Sequence, residues 1–264
     1  MDGGSTDERI RTTQTSFEVL LALQELGPAR LSEVADHLGM AQSTTHRHLN
    51  TLLEMRYVSR RGERYQLGLR FARLGRAARA REPAYRKARS HVRRLAGETG
   101  ERAQFVVEDH GLGVYLAVET GENAVRAGFG VGRQIHLHCS SGGKSILAHL
   151  PDERVDCILD RWGLPEQTAH TITDRDTLYE ELERVRERGY ATNREEHVDG
   201  LNAAGVPVVH DGTVLGALVV AGPAGRLKGE RLEAELPDLL RASANELELN
   251  LAYADDRPID HVVE

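Results

Sequence analysis

The sequence predicts an α+β protein in two parts, an N-terminal winged helix-turn-helix and a larger α/β domain built around a single antiparallel-rich sheet. Three observations predict it. The stretch from Leu31 to Gly68, LSEVADHLGMAQSTTHRHLNTLLEMRYVSRRGERYQLG, sets a short helix, a glycine turn, a second helix with a polar start and a basic hairpin in that order. From residue 104 onward runs that read as strands alternate with helical patterns. Charge divides the chain in the same place: residues 1–95 carry 18 Lys+Arg against 10 Asp+Glu, a net +8, whereas residues 96–264 stand at −15 within a whole-chain charge of −7. A basic front joined to an acidic rear suits a nucleic-acid reader attached to a soluble domain.

Residues 1–13 are polar and rich in Gly, Ser and Thr, and are expected to be a flexible leader. From Ser16, the spacing of Phe17, Leu20, Leu21, Leu23 and Leu26 predicts a first helix with one apolar face, stopped by Gly27-Pro28. Ser32 suits the cap of a second helix that turns Val34, Ala35 and Leu38 inward, and Gly39 supplies the tight turn after it. A third helix is expected from about Ala41 to Glu54. Its apolar residues, Leu49, Leu52, Leu53 and Met55, crowd the C-terminal half, so its leading end is almost wholly polar. Tyr57–Ser59 and Tyr65–Leu67 then read as two strands around Arg60-Arg61-Gly62-Glu63-Arg64, a basic hairpin with glycine at the turn.

Residues 69–96 form a strongly basic helical stretch that Pro83 interrupts, with Leu69, Leu74 and Ala77 along one seam. Beyond it, strands are expected at Gln104–Val107, Gly113–Val118, Ala124–Phe129, Val206–His210 and Val214–Ala221. Helices are expected near 142–149, 152–161, 174–188 and 230–253. The domain boundaries this implies are a leader at 1–13, a DNA-binding domain at 14–75, a linker and entry helix at 76–95, an effector and oligomerisation domain at 96–254, and a tail at 255–264.

Composition excludes several classes. No apolar run approaches the roughly 18 residues of a membrane span, and the N-terminus has no apolar core for export. Cys139 and Cys157 form neither a disulfide framework nor a zinc spacing, which fits a reducing cytoplasm. His136 and His138 alternate on one strand face, but without an acidic or cysteine partner at a recognisable spacing they are expected to be structural; no metal and no cofactor is predicted. No nucleophile elbow of the Gly-x-Ser-x-Gly kind is present, so enzymatic turnover is not expected.

The polar leading end of the third helix is the part suited to the major groove, where Gln, Ser, Thr and Arg reach base edges. Gln42, Ser43, Thr44 and Arg47 are the expected readers, with Thr45 and His46 beside them. Arg56, Arg60, Arg61 and Arg64 are expected to neutralise phosphate and set register. The linker arginines Arg70, Arg73, Arg76 and Arg79 recur every third residue and stay mostly on one side of a helix.

These residues resemble a known family. SFEVLLALQELG and LSEVADHLGMAQSTTHRHLNTLLEMRYVSRRGERYQLGLRFARLG are similar to the IclR-type transcriptional regulators, and so, independently, are GRQIHLHCSSGGKSILAHL and RGYATNREEHVDGLNAAGVPVVHDGTVLGALVVAGPAGRL. The resemblance covers nearly the whole chain. It implies a linker helix that dimerises, a GAF-like effector-binding domain, and dimers or tetramers on short palindromic operators that repress or activate genes of small-molecule catabolism.

Within the second half, SSGGKS ends like a phosphate-binding loop, but the first glycine of that motif would fall at His138. Two readings of the turn stay open. Ser140 or Ser141 caps a helix, or the turn presents backbone N–H groups to an anion; the resemblance makes Ser141 and Gly142 one wall of the effector pocket, with Cys139 and Ser140 adjacent. The resemblance likewise places Glu195-Glu196-His197 in a loop that closes the pocket, where the residues alone suggest a structural charged loop. Relatives that hold small carboxylates resemble one another in placing an acid, a cysteine and two hydroxyls around the ligand, where this chain has Asn193, Ala203, Val219 and Ala221. The expected pocket therefore has one polar end and an apolar body, and the expected effector is an aromatic or other apolar organic acid held by the Ser141 turn and Asn193. The alternatives are a ligandless domain kept for oligomerisation and a cytosolic enzyme with an appended DNA-binding module.

Overall fold

Two independently packed units, Met1–Arg79 and Ala80–Glu264, make up the chain. The structure, a computed structural model, describes residues 10–80, 83–125 and 130–255. Among the described residues no helix is long and apolar enough to cross a membrane.

The first unit packs α1 (Arg11–Leu26), α2 (Leu31–Leu38) and α3 (Gln42–Glu54) over a three-stranded sheet. Its strands are β1 (Ala29–Arg30), β2 (Val58–Arg61) and β3 (Arg64–Leu67), in the antiparallel order β1-β3-β2. Val19, Leu20 and Leu23 of α1 meet Val34, Leu49, Leu52, Val58 and Tyr65 in one core. Phe17 and Leu21, expected on the buried face of α1, lie 59% and 55% exposed, because Val19 and Ala22 turn inward in their place. The helix also begins earlier than expected and takes up residues 11–13 of the supposed leader. Ser32 does not cap α2. The helix starts one residue before it, and the Glu33 carboxylate accepts the Arg30 backbone N–H at 2.6 Å instead. Gly39, at φ +63°, closes the turn into α3 in the left-handed conformation that glycine reaches without strain. The hairpin is tighter than expected: Arg61 pairs with Arg64, leaving a two-residue Gly62-Glu63 loop. Helix α4 (Arg70–Arg79) follows and has no fully buried residue.

In the second unit α5 (Pro83–Thr99) leads into a six-stranded antiparallel sheet of order β6-β5-β4-β9-β8-β7. The strands are β4 (Arg102–Asp109), β5 (Leu112–Thr120), β6 (Gln134–Ile135), β7 (Ala191–Arg194), β8 (Leu201–His210) and β9 (Thr213–Pro223). One face packs on α5 and on α9 (Leu236–Asp255) through Val92, Leu95, Phe105, Leu218, Leu240 and Leu247. The other packs on α6 (Ser141–Leu147), α7 (Asp152–Trp162) and α8 (Arg175–Arg188) through Val106, Ile146, Ile158, Leu182, Ala217 and Val219. A single turn of π-helix, Arg231–Glu235, precedes α9.

Strand β4 shows the two-residue period at work between these layers. Ala103, Phe105 and Val107 enter the core under α5 and α9, and Val106 enters the core under α6 to α8. Ala124 and Val125 belong to no strand, and residues 126–129 of the strand expected there lie outside the described residues. Strands β6 and β7 were not expected, and β8 starts at Leu201, five residues early, because Ala203, Ala204 and Gly205 carry no apolar alternation to mark it.

Close approach explains the glycines of SSGGKS. A Cβ on Gly143 would sit 2.1 Å from the Leu137 carbonyl oxygen, and one on Gly205 would sit 2.8 Å from the Ser141 carbonyl carbon. Only bare backbone lets the start of α6 lie directly on β8.

Candidate functional site

The leading end of α3 presents Gln42, Ser43, His46 and Arg47 to solvent, with Thr44 half-buried. Thr45 does not join them. It is fully buried, and its hydroxyl donates to the Ala41 carbonyl at 3.2 Å, so it anchors the helix start. His46 contacts Asn50 one turn on, whereas Arg47, among the described residues, makes no side-chain hydrogen bond or ion pair. Arg47 is therefore the long donor of this surface that is not already spent.

The wing arginines are not equivalent. Arg60 donates to the Gly62 carbonyl and stacks over Tyr65. Arg64 donates to the Pro28 carbonyl at 2.8 Å and pairs with Glu33. Arg60 is thus held within the wing itself, and Arg64 braces the wing against the rest of the unit. Arg61 and Arg56 stay exposed without a partner among the described residues, Arg56 at a left-handed backbone position just past α3. In the linker, Arg70 donates to the Met55 carbonyl and lies over Tyr57, so it is part of the scaffold; Arg73, Arg76 and Arg79 remain in water.

In the second unit a cavity of about 50 Å³ lies between the sheet and the start of α6. Ser140, Ser141, Gly142, Asn193, Ala203, Val219 and Ala221 all line it. The two readings of the SSGGKS turn divide between neighbours. Ser140 is the cap, its Oγ accepting the Gly143 N–H at 3.0 Å, and the Oγ of buried Ser141 has no hydrogen-bond partner among the described residues. With only seven residues, α6 offers little helix dipole to an anion. Asn193 is not the free anchor expected of it: its Nδ2 donates to the Cys139 carbonyl and its Oδ1 accepts the Glu196 N–H, both at 2.9 Å. It ties the turn before α6 to the loop after β7.

The pocket is also more polar than the substitutions at Asn193, Ala203, Val219 and Ala221 suggested. Arg102 and Gln104 of β4, Tyr115 of β5, His197 and Asn202 line it as well. Sequence reasoning missed Arg102 and Gln104 because it considered only positions matched to the family's ligand contacts. The available signal was polar residues at every second position of an otherwise apolar strand. Burial draws the Arg102 guanidinium below its ordinary range, pushes the Tyr115 phenol up to about 12 and holds the His197 imidazole down. Cys139 sits 3.6 Å from His197, yet burial pushes its thiol up to about 12, so no reactive thiolate forms there.

Behind the cavity, Lys144 is buried and reaches both Glu196 oxygens, at 2.7 and 2.8 Å, and Glu181 at 3.7 Å. Glu196, expected in an ordinary charged loop, is the inner member of an ion cluster that pins the pocket-closing loop to α6. His138, expected to be structural, is buried with Nε2 hydrogen-bonded to the Pro165 carbonyl at 3.2 Å.

Comparison with known proteins places both units. The IclR helix-turn-helix domain matches residues 14–62, and the C-terminal domain of the bacterial transcriptional regulator IclR matches residues 78–249. A probable HTH-type transcriptional regulator, ArcR of Halobacterium salinarum, is 31% identical over 251 residues, covering 93% of this chain and 95% of its own. The crystal structure of the Thermotoga maritima IclR superposes with a TM-score of 0.79 at 29% identity, over 93% of this chain and all of that one. A double mutant of the Acinetobacter PobR inducer-binding domain, in complex with 3-hydroxybenzoic acid, is 31% identical with a TM-score of 0.57, over 62% of this chain and 96% of its own. These relatives are regulators, not enzymes. A DNA-binding unit with an exposed recognition helix, a second unit with an internal cavity, and both domain matches in order show that the chain belongs to the IclR family of transcriptional regulators.

Proposed function

We propose that this ligand-responsive regulator acts as a homodimer or homotetramer on a short palindromic operator beside genes of small-molecule catabolism, and that an organic acid in the cavity at the start of α6 controls it. The observation that carries the effector class is a cavity lined by a buried arginine and by no acidic residue among the described ones. An effector shifts DNA occupancy only by its difference in affinity for two arrangements of the protein. Oligomerisation is supported by α4, which has no fully buried residue, packs Phe71 on the core of its own unit and leaves Leu74 half exposed.

An apolar or aromatic body suits Val106, Ile135, Val198, Leu201 and Val219 in the lining, and the PobR domain holds a hydroxybenzoic acid. The cavity is about 50 Å³, well below the roughly 150 Å³ of an engineered cavity that binds benzene. An aromatic acid therefore has to widen it. Calorimetric titration with benzoate-type acids and with pyruvate and glyoxylate decides between bodies: tight binding of the small keto acids alone overturns the aromatic reading.

On DNA, Gln42, Ser43 and Arg47 are the proposed base readers, with Arg56 and Arg61 on phosphate. Selecting bound duplexes from a random pool gives the half-site. Arg47→Ala is then expected to cost about 1–3 kcal/mol on that site and to relax preference at one base pair. Arg61→Ala is expected to weaken all duplexes alike and to lower the salt slope by about one. Arg60→Ala and Arg64→Ala are expected to act through wing stability instead, lowering the melting temperature of the first unit; a salt-slope change equal to that of Arg61→Ala argues against this division.

A further inference from the structure

The cavity borders β7, and side chains that take no part in lining it fasten that strand to the far face of the sheet. With four residues, β7 is the edge of the sheet and pairs with β8 alone. Its side chains alternate between the two faces. Asn193 lines the cavity and ties the turn before α6 to the loop after the strand. Arg194, the next residue, takes the other face and pairs with Glu233 at 2.8 Å. Just before the strand, Tyr190 packs against the core under α5 and α9 and donates its hydroxyl to the Glu233 carbonyl at 2.8 Å.

A covalent reason singles out that carbonyl. Residue 237 is proline, so the N–H that would close a helical bond onto Glu233, four residues back, does not exist, and the proline ring crowds the same carbonyl. The chain widens in response: Arg231–Glu235 forms a turn of π-helix, in which the Leu236 N–H donates to the Arg231 carbonyl five residues back. The head of α9 therefore takes from Tyr190 a hydrogen bond that its own helix does not supply. Arg241, further along α9, adds a second tie. Its guanidinium lies 5.3 Å from the Tyr190 ring centroid and donates to the Arg188 carbonyl at 2.9 Å. Arg188 lies 4.8 Å from the same centroid and pairs with Glu181 at 2.8 Å, the carboxylate that stands 3.7 Å from Lys144 of α6. These contacts run without a break from Lys144, round the edge of the sheet, to the head of α9.

We propose that Tyr190, Arg194, Glu233 and Arg241 form a clasp that carries a displacement of β7, made at the cavity, to the proline-widened head of α9, and that they are positioning residues for the effector response. An edge strand has one neighbour to hold it, so it yields before the central strands do. Helix α9 meets α5 through Leu240, Leu247 and a hydrogen bond of 3.1 Å between Ser243 and His91, so a shift at its head reaches the helix that opens the second unit. The exposed Arg194–Glu233 pair contributes little energy by itself; the Tyr190 hydroxyl, seated on the carbonyl that Pro237 leaves open, is the main restraint. This rests on the proposed function only in taking the cavity as the effector site.

Amide hydrogen exchange of the full chain tests the clasp without a ligand. Ala203 stands opposite Asn193 in the register of β7 with β8 and lines the cavity, so Ala203→Ile fills the space beside the edge strand. In the native background this substitution is expected to speed exchange at residues 238–241 at least about fivefold. With Tyr190→Phe and Arg194→Gln in place, it is expected to change the same amides less than about twofold. Residues of purely structural role give a different result: exchange is faster in Tyr190→Phe/Arg194→Gln, and Ala203→Ile adds its full effect on top. Equal effects of Ala203→Ile in the two backgrounds, or none at residues 238–241 in the native one, overturn the clasp. Should Ala203→Ile not fold, Ala203→Val makes the smaller step and is read in the same way. Failure of every acid to bind in the titrations removes the effector site, whereas these exchange rates decide the clasp on their own.

Discussion

Replacing Lys144 with methionine is expected to destabilise the second unit by about 3–5 kcal/mol, the cost of stranding a buried charge. The lysine side chain is 2% exposed and places its ammonium within 2.8 Å of both oxygens of Glu196, whose side chain is itself 10% exposed. Glu181 loses less than Glu196 when Lys144 is removed, since Arg184 and Arg188 remain at 3.1 and 2.8 Å. Burial alone raises the Glu181 carboxyl, but Lys144 and the two arginines outweigh it and hold it below its ordinary range. The stranded group is therefore Glu196. Adding Glu196→Gln to Lys144→Met neutralises it at nearly constant shape, so the double variant should recover most of the loss in urea unfolding. If single and double variants unfold alike, the ion pair does not carry this stability. Function is expected to suffer together with stability, because the Lys144–Glu196 pair ties the pocket loop to α6, and its loss leaves the Thr168 and Thr171 hydroxyls on the Glu195 and Glu196 backbone carbonyls to hold it.

Acidification should weaken the same unit well before its carboxylates titrate. Burial, only partly opposed by the hydrogen bond to the Pro165 carbonyl, holds the His138 imidazole down to about 4 from an ordinary 6.5. Between those values the unfolded chain binds a proton that the folded chain refuses. Stability is therefore full above pH 6.5 and falls as the pH drops towards 4, by up to about 3 kcal/mol from this residue. His91 and His197, also lowered by burial, add losses of the same sign. Glu248 works the other way, because burial raises its carboxyl. Unfolding free energies at pH 7 and pH 4.5 should differ accordingly, and His138→Gln should flatten the difference. A variant with an unaltered pH slope would remove His138 from this account.

Much of the architecture is legible in residue order. Gly39, the polar start of α3 and the hairpin at Gly62 announce the first unit, because each answers a local backbone demand. What stayed hidden were facts of packing. Thr45 has the same chemistry as Ser43 and Thr44, and only the fold shows that it faces inward. Arg60 and Arg64 are as basic as Arg61 but are consumed by Tyr65, Gly62, Glu33 and Pro28. Asn193 reads as a ligand anchor until its amide is found engaged at both ends. Arg102, from a strand assigned no part in the pocket, supplies the charge. Pairings between residues tens of positions apart decide each of these, and no local pattern encodes them.

Strand β4 has a consequence for signalling. Its Arg102, Gln104 and Val106 face the cavity, its Ala103, Phe105 and Val107 fill the core beneath α5, and it follows α5 in the chain after a short turn. Close-packed interiors compress very little. A ligand that enlarged the cavity by pressing on β4 would therefore find no slack behind the strand, and the displacement would pass to the seat of α5. That helix is the first element of the second unit after the DNA-binding unit ends. The strand would then act as a stiff diaphragm, the cavity on one side and the helix on the other.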